Sequence, residues 1–477
     1  MTERPLILDV DGTLIRSDLT HELLLEGFKA DPLRLPRYAA LGLRSKSELK
    51  DVLVERVGER IGVDALPLEP LAVEMAKTAQ ANGRDVYLCS GSEQRLVQRL
   101  ADELDFITGA FGTTPGRNLT SENKADFLRE RFPGGFDYVG NSTQDYAVWE
   151  AAHGAYAIRP PRGTQRRLSA SGAPVAVLEA RSASFGPLIE AMRPHHWTKN
   201  LLIALVPALV LERLGVADWL AVALGFVCLG LLASGTYLLN DMLDVHADRR
   251  HATKSRRPFA SGRLSIPAGG LAFVLSVGAA FVLATLFLPG AFTRVMAAYL
   301  LTTLLYSFVL KRLAIADVIT LAFLFLTRVA AGAALVAQPL SPWLTSFVLT
   351  FFLSVSLVKR YAELIRDAEG AHAAEAGRGY RPSDAPLVLG FGMMATAMTL
   401  IAFMLYGVVS DIPALRTQPA VLVVGTVITG WIMRLWLLAH RGELNDDPVL
   451  FAVRDPVSLL AGAAVFAVVA IERFGGV

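Results

Sequence analysis

Hydrophobic and polar positions follow two different rhythms along this chain. From about residue 185 onward, long uncharged runs recur between short polar ones, whereas the first 185 residues carry charge at ordinary soluble-protein density. A helix needs about 20 apolar residues to cross a hydrocarbon core of roughly 30 Å. The pattern predicts nine such spans, at 199–215, 217–240, 268–288, 291–310, 314–336, 342–358, 385–408, 419–438 and 456–473. Pro207 and Glu212 interrupt the first. Backbone polar groups must satisfy one another in lipid, so these runs read as helices, and barrel strands would show short alternating segments instead. The chain therefore divides into a soluble domain at 1–159, an all-α transmembrane domain at 187–477, and a Pro-, Gly-, Ser- and Arg-rich tether at 160–186.

Composition agrees with that division. Hydrophobic residues make up 53% of the 477 and charged residues 19%, with a mean hydropathy of +0.42. That is too apolar for a soluble enzyme of this length and too interrupted for a simple anchor. Loop charge is one-sided. The links after the second, fourth, sixth and eighth spans hold Arg249, Arg250, Lys254, Arg256, Arg257, Arg263, Lys311, Arg312, Lys359, Arg360, Arg366, Arg378, Arg381, Arg441 and Arg454, while the opposite loops hold little beyond Arg213 and Arg416. The positive-inside rule then predicts a multi-pass protein of the cytoplasmic (inner) membrane, with the basic face and the N-terminal domain cytoplasmic. No cleavable signal peptide is expected, since "PLILDVDGTL" leads straight into a folded domain. Cys89 and Cys228 fall in different domains and suggest no disulfide. The net charge of +2 is uninformative alone, and membrane lipids rather than nucleic acid are the expected surroundings.

In the soluble domain, "LILDVDGTL" is a short apolar strand that runs into Asp9, Asp11, Gly12 and Thr13. At such a strand end one carboxylate can act as nucleophile and the other as proton donor or acceptor. Later strands end in Ser90 ("DVYLCSGS") and before Asn141 and Asp145 ("FDYVGNSTQD"), and Lys124 lies near a helix start in "ENKADFL". These are the parts needed to bind a phosphoryl group through Mg²⁺ and neutralise its charge during transfer. With its four motifs in order over residues 5–158, the domain resembles the haloacid dehalogenase (HAD) phosphatase superfamily. The resemblance implies a Rossmann-like α/β fold and an aspartyl-phosphate on Asp9, with Asp11 as general acid/base. It also implies Thr13, Ser90 and Lys124 as phosphate ligands, and Mg²⁺ held by Asp9, the Asp11 carbonyl and Asp145. A helical insert at 19–70 would be a small cap. Asn141 stands where the family often has an acid.

The stretch "LNDMLDVHADRRHATKSRRPFASGRLS" (239–265) separates two apolar runs. Asn240, Asp244 and Asp248 are spaced i, i+4, i+8, and Asp241 lies three before Asp244, so a helix continuing out of the second span puts all four on one face. Such oxygen ligands repel one another unless a cation joins them, and Mg²⁺ suits them, completing its shell with substrate phosphates. Lys254, Arg256 and Arg257 follow with charge to grip those phosphates. A solvated acidic helix end would explain the basic residues but not the acid spacing.

This stretch is similar to the first signature of the UbiA prenyltransferase superfamily, over about residues 187–475. "RPHHWTKN" (Arg193 to Asn200), "KRYAEL" (Lys359 to Leu364) and "DDPVLFAVRD" (Asp446 to Asp455) resemble its decaprenyl-phosphate phosphoribosyltransferase branch. That resemblance implies attack of a polyprenyl phosphate oxygen on C1 of phosphoribosyl pyrophosphate (PRPP), with Arg193, Lys199, Asn200, Lys254, Arg257, Lys359, Arg360 and Glu363 contacting substrate. Asp241 and Asp244 are the expected catalytic pair within a metal set of Asn240, Asp241, Asp244 and Asp248. Prenyl transfer from a polyprenyl diphosphate to an aromatic acceptor is the alternative, and there Glu363 and Asp367 would form a second metal pair. Arg328 and Arg434, inside apolar runs, are expected to touch phosphate or to snorkel. His195, His196 and Trp197 read as an interfacial anchor. Phosphoribosyl transfer would leave a 5-phosphate on the lipid-linked sugar, and a fused phosphatase would remove it.

Overall fold

A computed structural model of the chain describes residues 4–171, 174–179, 184–368, 379–409, 417–444 and 447–474. The Asp367 side chain, Arg378, Arg416 and Asp446 lie outside the described part. In chain order the elements are β1 (Leu6–Leu8), α1 (Leu19–Ala30), α2 (Leu35–Arg44), α3 (Lys46–Val57), α4 (Pro70–Ala81), β2 (Val86–Glu93), α5 (Gln94–Asp102), β3 (Gly109–Thr113), α6 (Ser121–Arg131), β4 (Asp137–Gly140), α7 (Tyr146–Ala151), β5 (Gly154–Ile158), α8 (Arg162–Ser171), β6 (Val175–Glu179) and α9 (Gly186–Met192). There follow α10 (Leu205–Leu209), α11 (Val216–Leu243), α12 (Val245–Arg250), α13 (Ile266–Phe287), α14 (Gly290–Phe308), α15 (Ala316–Leu335), α16 (Pro342–Ala368), α17 (Ala385–Val409), α18 (Gln418–His440), α19 (Pro448–Ala452) and α20 (Pro456–Phe474). The chain forms two compact units, Met1–Ala191 with Leu239–Leu271, and Met192–Leu238 with Ala272–Val477.

The first unit is a Rossmann-like α/β domain. Its sheet is ordered β3-β2-β1-β4-β5-β6 and every pairing is parallel. Strands of such a sheet are covered on both faces and read as continuous apolar runs. "LIL" of β1 is buried throughout, with Ile7 and Leu8 fully so. Catalytic groups on this architecture gather at the carboxyl ends of the strands, where the order reverses about β1. Asp9 and Asp11 follow β1 directly. Residues 160–186, predicted as an irregular tether, instead carry α8 and β6, and β6 pairs in parallel with β5. The short apolar run "VAVL" is a strand signal that the surrounding Ser, Gly and Arg obscure.

Eight helices among the described residues are long and apolar enough to cross a membrane. They correspond to the second to ninth predicted spans. The first prediction, 199–215, is corrected: the segment is a 3-10 helix (Pro194–Ala204), the single turn and a half of α10, and a 3-10 turn at Leu211–Arg213. Pro207 offers no N–H, and the carbonyl of Ile203 lies against Gly332 of α15 so closely that a Cβ there would overlap it. This segment is shaped by packing on α15, not by a membrane-length apolar face.

Candidate functional site

The N-terminal site forms around Asp9. Lys124, on α6, donates from Nζ to Asp9 Oδ1 at 2.7 Å and to the Tyr138 hydroxyl at 3.0 Å. The Tyr138 hydroxyl donates to Asp145 Oδ1 at 2.7 Å, and Thr13 donates to Asp9 Oδ2 at 3.3 Å. Asp145 Oδ2 accepts the backbone N–H groups of Asn141 and Ser142 at 3.0 and 2.8 Å. Burial pushes the Asp9 carboxyl up to about 7, opposed by Lys124 and reinforced by Asp145 and Asp11. Burial works against the Lys124 charge, yet Asp9 and Asp145 raise its pKa above the ordinary lysine value. Asp11 Oδ2 accepts the hydroxyls of Ser90 (2.9 Å) and Ser92 (2.7 Å), and Oδ1 accepts the N–H of Leu19 (2.8 Å).

Sequence reasoning therefore located Asp9, Asp11, Thr13, Ser90, Lys124 and Asp145, and the structure brings all six together. It missed Ser92 and Tyr138, which share no motif spacing with the acids they touch. It also missed Lys50, on α3 of the predicted cap, whose Nζ reaches the carbonyl of Gly91 at 2.5 Å and whose pKa burial lowers. Gly12 has φ +78°, and the Asn141 side chain fills the space where a Cβ would stand, which is why a glycine follows Asp11.

A second cluster in the same unit surrounds the acid motif. α11 runs on to Leu243, and the path continues through Asp244 N–H to Asn240 C=O (2.9 Å) and Asp248 N–H to Asp244 C=O (2.8 Å). The near-continuous helix is the one the spacing predicted. Asp241 and Asp248 are buried, and Asn240 Nδ2 donates to Asp244 Oδ2 at 3.2 Å. Arg257 Nη1 lies 2.8 Å from Asp248 Oδ2 and 3.4 Å from Asp241 Oδ1. Burial raises Asp248 to about 6, with Arg257 opposing and Asp241 and Asp244 adding to the shift. Lys254 opens the short 3-10 turn that leads to Arg257.

Among the described residues no group of three or more His, Cys, Asp or Glu side chains is arranged to hold a metal ion. The donor chemistry nonetheless fits a hard cation in both clusters. Carboxylates crowd where burial already disfavours their charge, and Lys124 in one and Arg257 in the other offset it in part.

The second unit holds a basic set. Lys199 Nζ and Lys359 Nζ lie 2.8 and 3.4 Å from one oxygen of Asp447. Burial disfavours the Asp447 charge, but Lys359 and Lys199 together hold its pKa well below the carboxylate range. Arg328 does not snorkel: it is buried, donating from Nε to Asn200 Oδ1 (3.0 Å) and from Nη2 to the Tyr299 hydroxyl (2.9 Å). Asn200 Nδ2 is buried and finds no hydrogen-bond partner among the described residues. Arg193, with φ +52°, places its guanidinium 5.5 Å from the Tyr237 ring centre. Arg360 is separate from this set, paired with Asp317 at 2.6 Å and with Glu363. Arg434 is occupied by Asp455 at 2.7 and 3.0 Å. Trp197 is no simple interfacial anchor, since it donates to Ser234 at 2.9 Å and lies over Gly230. Asp447 was inside a quoted motif without a role, and only the fold reveals its two lysines.

Comparison with known proteins agrees with this division. A model of the UbiA prenyltransferase family matches residues 201–461. The uncharacterized protein y4nM of Sinorhizobium fredii is 37% identical over 467 residues, covering 97% of this chain and 89% of that one. The decaprenyl-phosphate phosphoribosyltransferase of Mycolicibacterium smegmatis is 33% identical over 286 residues, 57% of this chain and 87% of that one. A solved HAD family hydrolase from Salmonella enterica is similar over 39% of this chain and 71% of its own, at 15% identity and a TM-score of 0.28. The chain belongs to the UbiA prenyltransferase family.

Proposed function

We propose that the membrane part transfers 5-phosphoribose from PRPP to a polyprenyl phosphate, and that the N-terminal domain then removes the 5-phosphate from the lipid-linked product. The observation that carries the first half is the 33% identity to a protein named for that reaction. The basic set supports it: Lys199, Lys359 and Arg328 outnumber the acid among them, Asp447, as a phosphate-rich donor requires. The buried, unmatched Asn200 Nδ2 is a donor awaiting an acceptor oxygen. In the transfer, an oxygen of the lipid phosphate forms a bond to C1 of the ribose as the C1–O bond to pyrophosphate breaks. Mg²⁺ held by Asp241, Asp244 and Asp248 would neutralise the departing diphosphate, and Arg257 would share that charge.

In the phosphatase step, Asp9 attacks phosphorus while Asp11 gives its proton to the departing 5-oxygen. Water then cleaves the aspartyl-phosphate with Asp11 taking the proton back. Lys124 orients Asp9 and Thr13 flanks it. Asp11 must exchange its Ser90 and Ser92 partners to reach substrate. Placing both sites on the cytoplasmic face of the inner membrane lets one chain pass its product on at an effective concentration of around millimolar.

The test is incubation of the purified protein with radiolabelled PRPP and polyprenyl phosphate, in parallel with a prenyl diphosphate and an aromatic acid. Label should enter lipid only in the first mixture and require Asp244, Asp244→Asn being inactive. Mass spectrometry should find the sugar dephosphorylated with the native chain and phosphorylated with Asp9→Asn. Label in the second mixture only, or phosphate retained equally by both proteins, rejects the corresponding half.

A further inference from the structure

Within the first unit, the acid-bearing turn is gripped by the phosphatase domain. α12 carries Asp248 toward Arg257 and Asp241, and carries Arg249 and His246 elsewhere. Arg249 Nη2 meets Glu22 Oε1 of α1 at 2.5 Å, with side chains only 3% and 0% exposed. His246 Nε2 stands 3.2 Å from Glu26 Oε1 and 3.5 Å from Glu22 Oε2. The same Arg249 donates from Nε to the carbonyl of Ala260 at 3.3 Å, so it braces the loop that follows Arg257. Two residues further on, Gly262 (φ +69°) lies against the main chain of Arg16, where no Cβ would fit. At the surface Arg250 pairs with Asp64 at 2.9 Å.

A carboxylate as buried as Glu22 is tolerable only because a cation is held against it, and the contact is as demanding for Arg249. Neither the aspartyl-phosphate chemistry nor the metal-donor spacing uses Glu22. Yet α1 begins at Leu19, whose N–H holds the catalytic Asp11, and one turn later Glu22 holds Arg249. One short helix thus touches the phosphatase acid at its start and the transferase acid turn through its first-turn carboxylate.

We propose that Glu22 is a positioning residue for the transferase: through Arg249 it fixes the turn bearing Asp248 and the loop bearing Arg257, making the phosphatase cap a working part of the transferase site. The consequence is that donor binding depends on a residue 226 positions before Asp248 that touches no substrate. The inference rests on the transferase reading above, but the two can fail separately.

The test uses the full chain in lipid nanodiscs, with Glu22→Ala, the shape-preserving Glu22→Gln, and Arg249→Lys. Hydrogen–deuterium exchange of peptides covering 241–263 reads the contact without any substrate. Glu22→Ala and Glu22→Gln should both speed exchange there at least severalfold, and Arg249→Lys should do so less. With whichever donor the native chain accepts, the Glu22 variants should raise donor KM and the Mg²⁺ concentration for half-activity about tenfold, with kcat changed much less. Arg249→Lys, which keeps a cation beside Glu22, should show a smaller rise in both. Hydrolysis of para-nitrophenyl phosphate reports that the variants are folded. Unchanged exchange at 241–263 overturns the contact, whatever the donor proves to be. Faster exchange with unaltered donor KM and Mg²⁺ dependence overturns the positioning role. A native chain that accepts prenyl diphosphate instead of PRPP rejects the substrate reading and leaves the exchange and KM comparison to decide this one.

Discussion

Two lysines lean on one carboxylate oxygen of Asp447. Under the proposed function, Lys359→Ala should weaken binding of the phosphorylated donor by about 1.5–3 kcal/mol, the range for a charge-assisted hydrogen bond. Lipid phosphate affinity should change much less. Isothermal titration with each substrate alone checks this, and equal losses would remove Lys359 from the donor contacts. A second residue speaks to stability. Burial works against the charge of Glu69, but hydrogen bonds from Arg16 (2.8 Å) and Arg159 (2.9 Å) prevail and lower its pKa below the ordinary glutamate value. A depressed carboxyl binds fewer protons folded than unfolded, so its contribution is complete above the unfolded pKa and is lost as pH falls through the folded one. Glu69→Gln should therefore destabilise by about 1.5–3 kcal/mol near neutrality, and the deficit should shrink as pH falls below the ordinary glutamate range. Melting curves of both proteins between pH 3.5 and roughly 7.5 decide it, and a pH-independent difference would exclude the ionic explanation. At this scale the sequence was legible wherever function needs a fixed local spacing. Asp9 with Asp11, or Asp241 with Asp244 and Asp248, are such cases. Asp447 lies 248 residues from Lys199, and Tyr138 of β4 meets Lys124 of the preceding helix α6 across the turn between them, so no motif spacing announces either.

Helices and strands were legible where apolar periodicity is the dominant local force, as in the eight membrane-length helices. They were not where tertiary packing decides. The 3-10 helix at Pro194–Ala204 looks apolar enough to begin a span, yet in a 3-10 helix side chains three apart eclipse one another. Trp197, Asn200 and Ile203 accordingly share one edge, and His196 and Lys199 the next. That edge pairing is why Asn200 can meet Arg328 while the adjacent Lys199 meets Asp447. The fit depends on Gly332, since the Ile203 carbonyl occupies the place of its missing side chain. Gly332→Ala should force the two elements apart and destabilise by about 1–3 kcal/mol, as other overpacked contacts do. It should also reduce transferase activity, because Asn200 and Arg328 flank the contact. Thermal melting in detergent measures the first effect, and an unchanged melting temperature would mean that the segment is free to shift. The strand β6 is the opposite case, an element that polar neighbours hid until its pairing with β5 exposed it.

Across the whole molecule, the first unit is assembled from two stretches of chain separated by most of a membrane helix. Leu239–Leu271, which joins α11 to α13, packs with the N-terminal stretch in one unit. The two stretches should therefore be reached from one side of a membrane. Thr253→Cys and Asp126→Cys should react with a membrane-impermeant maleimide from the same side of sealed vesicles, with little background because Cys89 and Cys228 are buried. Labelling from opposite sides would break the unit apart. The same discontinuity has a consequence in time. A ribosome finishes Ala191 roughly 4–16 s before Leu271, at the usual rate of about 5–20 residues per second. Until then Glu22 has no Arg249, and the newly made domain carries a carboxylate built for burial beside an absent cation. The first unit is thus complete only after α11 and the start of α13 have been made.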